Sequence, residues 1–260
     1  MIDIHTHVLP GVDDGAGTLD EALEMVKLAA ANGTTHLVAT PHSNAQYPFD
    51  EGRILEALQR LSAVSEGLIC LYRGCDCHLT IRNLEEALLQ PAKFTINGGR
   101  YLLAELPDFM GPSVVGQQLK ALIDARITPI ITHPERNVSL QGNVKVLKEW
   151  VRKGCLLQVT AQSYLGRFGT AAQRFAESLT DHNLVHFVAS DAHDRADRTP
   201  DLSRAHEHVT FRWGKQRARR LFLENPTAVL SDQPIEDGRQ WKRRFGVFSF
   251  VGNEPSVVEG

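Results

Sequence analysis

The sequence predicts an α/β fold, a parallel sheet closing into a (β/α) barrel with its functional residues at one end. Three observations carry this reading. Short apolar strands alternate with helical segments seven times, the pattern of βαβ units. A length of 260 residues suits a barrel built as one domain. Histidines and carboxylates recur where the strands end, and in a barrel all strand C-termini open on one face.

Ile2-Asp3-Ile4-His5-Thr6-His7 is the first strand, and a kink or bulge after Ile4 is expected to turn both imidazoles inward. Thr18-Leu19-Asp20-Glu21 has the form of a capping box, in which hydroxyl and carboxylate satisfy the first free amides of a helix. Leu19, Ala22, Leu23, Val26, Ala29 and Ala30 then recur at helical spacing up to Gly33. A strand over 36–40 is closed by Pro41-His42, a helix follows at about 51–66, and a strand over 68–73 runs into Gly74-Cys75-Asp76. A short helix over 84–89 precedes Tyr101–Glu105, a strand that ends on a carboxylate. Helix 113–125 leads to strand 127–132, closed by His133-Pro134. Val144, Leu147, Trp150 and Val151 mark a helix that stops at Gly154, followed by strand 156–160 and helix 171–179. The seventh strand, 185–190, is closed by Asp191-Ala192-His193, and the chain is then helical to about Leu230. Residues 1–232 are read as the barrel, and 233–260 as a loosely ordered tail with a short strand at 247–251.

Composition excludes several classes. Hydrophobic content of 42% and charged content of 23% are ordinary for a soluble globular protein. A net charge of -3 gives no reason to expect nucleic-acid binding. No apolar run approaches the roughly 18 residues of a membrane helix, so no membrane insertion is expected. The start shows no basic and apolar leader, so no signal peptide is expected and the location is read as cytoplasmic. Cys70, Cys75, Cys77 and Cys155 form no disulfide framework and are expected as reduced, half-buried thiols. Cys75-x-Cys77 lacks the two-residue gap of a zinc knuckle.

His5, His7, Asp14, His42, Asp76, Glu105, His133, Asp191 and His193 are the candidate metal ligands. Imidazoles mixed with carboxylates, without an obvious thiolate ligand, suit Zn, Mn or Fe(II). Nine ligands are too many for one ion, so two or three divalent metals are expected. Metals about 3.5–4 Å apart hold a bridging hydroxide as nucleophile and bind phosphoryl oxygens during in-line displacement, which makes a phosphate ester the natural substrate. His36 starts a strand and so lies at the wrong end of the barrel, while His182, His186, His206 and His208 are read as surface or packing residues. Arg217, Arg219 and Arg220 read as a solvated helix face. Tyr47 and Phe49, in the loop after the second strand, are candidate walls for an aromatic substrate.

His5-x-His7, His42, His133 and Asp191-x-His193 resemble the four motifs of the PHP (polymerase and histidinol phosphatase) superfamily. The resemblance is closer to its CpsB/YwqE-like branch of bacterial protein-tyrosine phosphatases from capsule and exopolysaccharide loci. Val12-Asp13-Asp14-Gly15, Tyr101-Leu102-Leu103-Ala104-Glu105, Thr132-His133-Pro134-Glu135-Arg136, Ala189-Ser190-Asp191-Ala192-His193 and Glu224-Asn225-Pro226 carry it. It implies a distorted seven-stranded, TIM-like (β/α) barrel (the PHP fold) with a trinuclear centre, usually of manganese, iron or zinc. By analogy His5, His7, Asp76 and Asp191 hold one metal, Asp76, Glu105 and His133 a second, and Asp14, His42 and His193 a third. Arg136 and Arg198 match the branch's phosphate-binding arginines, and a guanidinium fork suits bidentate contact with phosphate.

The implied activity is that of a metal-dependent protein-tyrosine phosphatase. Its substrate would be the tyrosine-rich tail of a bacterial kinase controlling polysaccharide export, with His42 or His193 as candidate acids for the leaving group. No cysteine is followed by arginine six positions on, so the loop of cysteine-dependent phosphatases is missing. A small-molecule phosphatase of histidinol-phosphatase type and a non-enzymatic, metal-bound assembly protein are the alternatives. One departure stands out: the branch usually has Gly-x-Glu after the third strand, where this chain has Gly74-Cys75-Asp76, with His78 two residues on. The branch often forms homo-oligomers through its first helix, and Asp20 to Lys27 keeps part of that pattern.

Overall fold

The computed structural model describes residues 1–108 and 110–235. The short strand expected at 247–251, and the tail beyond Ile235, lie outside the described residues. In chain order, β1 (Ile2–Thr6) leads to α1 (Leu19–Ala31), β2 (His36–Ala39), β3 (His42–Ser43), α2 (Glu51–Val64), β4 (Cys70–Arg73) and β5 (Asp76–His78). Helices α3 (Ile81–Leu89) and α4 (Pro91–Phe94) and a 3-10 turn, Ile96–Gly98, precede β6 (Tyr101–Glu105). Then come α5 (Pro112–Asp124) with β7 (Thr128–Thr132), α6 (Val144–Lys153) with β8 (Leu156–Thr160), and α7 (Gly169–Asp181) with β9 (Phe187–Ala189). The chain goes on into α8 (Ser203–Trp213), α9 (Lys215–Arg219), a π-helical turn over Arg220–Glu224 and α10 (Asn225–Leu230).

The boundaries follow local chemistry. Thr18 Oγ accepts from Glu21 N–H (3.2 Å) while Glu21 Oε2 accepts from Thr18 N–H (3.1 Å), completing the capping box; losing such a cap costs about 1 kcal/mol. Gly154 ends α6 in the left-handed region (φ 115), where glycine carries no Cβ penalty.

Among the described residues all strand pairings are parallel. They fall into two sheets, β1-β2-β4 and β3-β5-β6-β7-β8-β9. β2 and β3 are successive pieces of one strand path, as are β4 and β5, so nine segments follow the seven expected paths. The reading of Pro41-His42 and Gly74-Cys75-Asp76 as strand ends is corrected here: each path is interrupted and then resumes. Pro41 has no N–H for the ladder, and its carbonyl accepts from Asp76 N–H instead (3.0 Å). Gly74 sits where the two paths press together, since a Cβ there would lie 2.9 Å from Thr40 Cγ2 and 3.0 Å from Val38 Cγ1.

The ring closes between β9 and β1. Asp191 N–H donates to His5 O, and His7 N–H donates to Ala192 O, both at 2.8 Å. Ile2, Ile4, Val38, Leu103, Ile130 and Phe187 fill the interior. The alternate residues face outward: Leu37 and Ala39 against α1 and α2, and Leu102, Ile131, Leu157 and Val188 towards the other helices. This alternation is the period-2 strand signature, and it leaves the polar ends of the strands gathered at one mouth. Among the described residues no helix is long and apolar enough to cross a membrane.

Candidate metal centre

The site is built from the bulge in β1. Pairing with β2 slips register between Asp3 and Thr6, where a bulge was expected. His5 and His7, two apart, share a face in any regular strand; the slip instead lets the sequence neighbours Ile4 and His5 both lie inside the ring. Asp3 stabilises it, its buried Oδ1 accepting from the N–H of His5 (3.3 Å) and of Ser190 (3.0 Å).

Each β1 imidazole is gripped by its outer nitrogen. His5 Nδ1 meets Gln158 Oε1 at 2.9 Å, and His7 Nδ1 meets Asp13 Oδ2 at 2.6 Å. Both partners are acceptors, so each Nδ1 carries a proton and Nε2 is the nitrogen that faces inward. Asp13 also accepts from the N–H of His42 and of Gly15, both at 3.0 Å. It thereby ties the turn after β1 to the start of β3. Gly15 lets that turn lie flat on His7, for a Cβ there would sit 1.8 Å from the His7 carbonyl oxygen. Outer-shell carboxylates of this kind typically control metal affinity by 10–100-fold. Asp13→Asn is therefore expected to weaken manganese binding by about that factor, measured by competition with a chromophoric chelator. Equal affinity in variant and parent would show that Asp13 does not govern the imidazole.

The inner atoms converge. Asp76 Oδ2 lies 3.5 Å from His5 Nε2 and 3.2 Å from His42 Nδ1, while Asp191 Oδ1 lies 3.5 Å from His5 Nε2 and 3.4 Å from His7 Nε2. Asp14 Oδ1 lies 3.4 Å from His42 Nε2 and 3.5 Å from His193 Nε2. All nine sequence-predicted ligands thus meet at one mouth, in four overlapping groups: His7, Asp14, His42 and His193; His5, His7 and Asp76; His5, His133 and Asp191; His42, Asp76 and Glu105. His133 groups here with His5 and Asp191, and its Nε2 stands 3.9 Å from Glu105 Oε1. His133 and Asp191 both adopt left-handed backbone (φ 33 and 53), uncommon for residues other than glycine and concentrated at functional sites.

Burial opposes charge on His5, His7, Asp76, His133 and Asp191, yet opposite charges decide the outcome for all of these but His133. Asp191 is held well below the usual carboxylate range, its burial outweighed by His5, His7 and Arg136, and Asp76 likewise by His5 and His42. Burial also works against a charged His7, but Asp13 and Asp191 push it up to about 10. His133 goes the other way: burial, reinforced by Arg136, lowers it to about 4, which keeps it a neutral imidazole of the kind that ligates metal.

Arg136 and Arg198 both reach Asp191 Oδ2, Arg198 through Nη2 at 2.7 Å and Arg136 through Nη1. The Arg136 guanidinium carbon also lies 4.3 Å from the centre of the Phe168 ring. A cavity of about 170 Å³ opens beside it, lined by His78, Glu105, Asp108, His133, Arg136 and Asn137. His78 Nδ1 meets Glu105 Oε2 at 3.0 Å and belongs to none of the four groups. Tyr47 stacks on His42, whereas Phe49 packs on Phe94 and Lys93 and lines no part of the mouth. His36 sits at the first residue of β2, the far end, stacked on Tyr72.

Four participants escaped the sequence reading: Asp13, Gln158, Phe168 and Glu135. Glu135 is wholly buried, and its Oε1 accepts from Thr160 N–H (3.0 Å) and Ser163 Oγ (2.7 Å), pinning the loop that carries Arg136. A polar Gln158 inside an apolar strand was a legible signal; Phe168 offered none.

A distorted barrel of parallel strands whose mouth gathers histidines and carboxylates defines a metal-binding α/β barrel protein. A family profile for capsular polysaccharide synthesis, CpsB/CapC, matches residues 1–231. CapC of Staphylococcus aureus is 37% identical over 257 residues, covering 95% of this chain and 100% of that protein. The tyrosine-protein phosphatase YwqE of Bacillus subtilis is 32% identical over 256 residues, again 95% and 100%. One chain from the crystal structures of YwqE from Bacillus subtilis and CpsB from Streptococcus pneumoniae, described as metal-dependent tyrosine phosphatases, superposes with a TM-score of 0.83 at 31% identity, covering 91% of this chain and 96% of that one. The chain belongs to the CpsB/CapC family.

Proposed function

We propose that the chain is a metal-dependent phosphomonoesterase that removes phosphate from tyrosine in a protein, holding two or three manganese, iron or zinc ions. One observation carries the metal reading: His5 Nε2 and His7 Nε2 face each other at 3.2 Å while both outer nitrogens are committed as donors. With both Nδ1 atoms committed, the close Nε2 pair requires positive charge there, either the proton that Asp13 and Asp191 hold on His7 or a metal ion that displaces it. Asp76 Oδ2, His42 Nδ1 and His193 Nε2 are also buried without a hydrogen-bond partner, and such orphans are costly unless something else satisfies them. The residues therefore fit divalent ions. By the family resemblance His5, His7, Asp76 and Asp191 would hold one, Asp76, Glu105 and His133 a second, and Asp14, His42 and His193 a third; in this chain Asp76 and Glu105 come together with His42, and His133 with His5 and Asp191.

Such ions, when bound, supply Lewis acidity towards phosphoryl oxygens and lower the pKa of water. The chain's own residues do the rest. Arg136 and Arg198 offer planar guanidinium donors at the mouth, matched to phosphate oxygens. Asp13 and Gln158 fix the imidazole tautomers. Glu135 and Phe168 seat Arg136, so that a phosphoryl group entering the cavity meets a preorganised donor. A departing phenolate, with a pKa of about 10, needs little protonation, and His42 or His193 would assist as an acid only where its imidazole is not committed to metal. Phosphotyrosine as substrate and a role in capsule synthesis are supported by the names of the relatives; a kinase tail as partner and the cytoplasm as location are part of the same proposal.

No thiol nucleophile is needed. Cys75, Cys77 and Cys155 are buried and Cys70 is exposed, correcting the half-buried expectation for all four. Burial pushes the Cys155 thiol up to about 12 and suppresses its thiolate. Native protein is expected to react quickly with one equivalent of a thiol reagent, at Cys70, without losing turnover. Inactivation in step with modification of a buried cysteine would contradict this.

The deciding experiment measures phosphate release by manganese-loaded protein from a phosphotyrosine peptide, a phosphoserine peptide and histidinol phosphate. Turnover of phosphotyrosine is expected to dominate. Turnover of histidinol phosphate alone would replace this reading with the small-molecule one, and metal binding without any turnover would favour an assembly role.

A further inference from the structure

We propose that Tyr47 and Phe168 are the two walls of a slot that grips the ring of an aryl phosphate, and that they set the preference for phenolic over alkyl esters. The proposal rests on the phosphatase reading above. The Tyr47 ring lies nearly parallel to the His42 imidazole, with centroids 6.2 Å apart and planes at 16°. Its loop is built to hold it there. Asn44 Oδ1 accepts from the N–H of Gln46 and of Tyr47, both at 2.9 Å, and Asn44 N–H donates to Tyr47 O at 3.0 Å. The phenol oxygen accepts from Gln46 Nε2 at 3.0 Å.

Phe168, in the segment between β8 and α7, lies under the Arg136 guanidinium. His42 belongs to the second strand path and Arg136 follows the fifth, so a ring of seven places them on opposite sides of the mouth. Both aromatic rings are half-buried, and neither packs against the three apolar clusters of the described residues. Phe49, from the same loop as Tyr47, does. Tyr47 and Phe168 thus present apolar faces that the core does not use.

A phosphoryl group held between the arginines and the His42 side of the cluster would send its ester oxygen outward between these faces. A phenyl ester places its ring there. An alkyl ester such as phosphoserine has no π-face to offer. Aromatic pairing adds a few-fold to about tenfold in affinity per ring beyond simple burial.

The test compares inhibition of manganese-loaded protein by phenylphosphonate and methylphosphonate, which share a head group and differ only in the ring. The parent is expected to prefer phenylphosphonate by at least about tenfold. Tyr47→Leu and Phe168→Leu should each cut that ratio several-fold and the double variant bring it close to one, while Tyr47→Phe keeps it. Phe168 also seats Arg136, so its loss weakens both inhibitors; the ratio cancels that part, and residual methylphosphonate binding reports a folded site. An undiminished ratio in the double variant overturns the slot and leaves the phosphatase reading standing. If the parent binds neither phosphonate nor inorganic phosphate, the phosphatase reading falls and the slot with it.

Discussion

Replacing Asp76 with asparagine is expected to strip the site and lower turnover by on the order of 10³-fold. Asp76 is wholly buried, takes part in two of the four donor groups, and has an Oδ2 without a hydrogen-bond partner between His5 and His42. Asparagine keeps the shape and removes the charge. The loss should therefore appear in metal content as well as in kcat/KM, with the fold intact. Asp76→Glu is expected to keep both, because the donor set needs a carboxylate and sequences of the PHP tyrosine-phosphatase branch usually carry the longer one. Metal content and turnover preserved in Asp76→Asn would show that the cluster is held together by something other than an ion.

The second large effect falls on Arg136. Arg136→Lys is expected to lower kcat/KM by about 10²–10³-fold with bound metal retained. Lysine keeps the charge but loses the planar fork, and with it both the contact with Asp191 and the stacking on Phe168. Full activity in Arg136→Lys would mean that charge alone is required there and that the seat built by Glu135 and Phe168 is incidental. Arg198 shares the Asp191 carboxylate from the other loop.

Strand ends were legible because the chemistry repeats there. His5, Glu105, His133 and Asp191 each close an apolar run, and a barrel brings such ends together whatever its details. Helix limits at Thr18 and Gly154 followed from capping chemistry in the same way. What sequence could not supply was long-range pairing. Pro41-His42 reads as a stop, and only the parallel partner Asp76–His78 shows that the strand resumes. Asp13 and Asp14 are adjacent carboxylates in one turn, and the fold alone sends one to the His7 and His42 anchors and the other to the inner cluster. Phe168 and Arg136 are 4.3 Å apart in space and belong to different loops. Tyr47 and Phe49 look equivalent in sequence, yet Phe94 and Lys93 draw the second away.

The most direct measurement strips the protein with a chelator and returns manganese stepwise. Bound metal per chain and phosphate release from a phosphotyrosine peptide are followed in the same samples. The convergence of nine donors in four overlapping groups predicts no turnover by stripped protein, and recovery in step with the binding of two or more ions per chain. Turnover by the metal-free chain, or full metal binding with none, would contradict it.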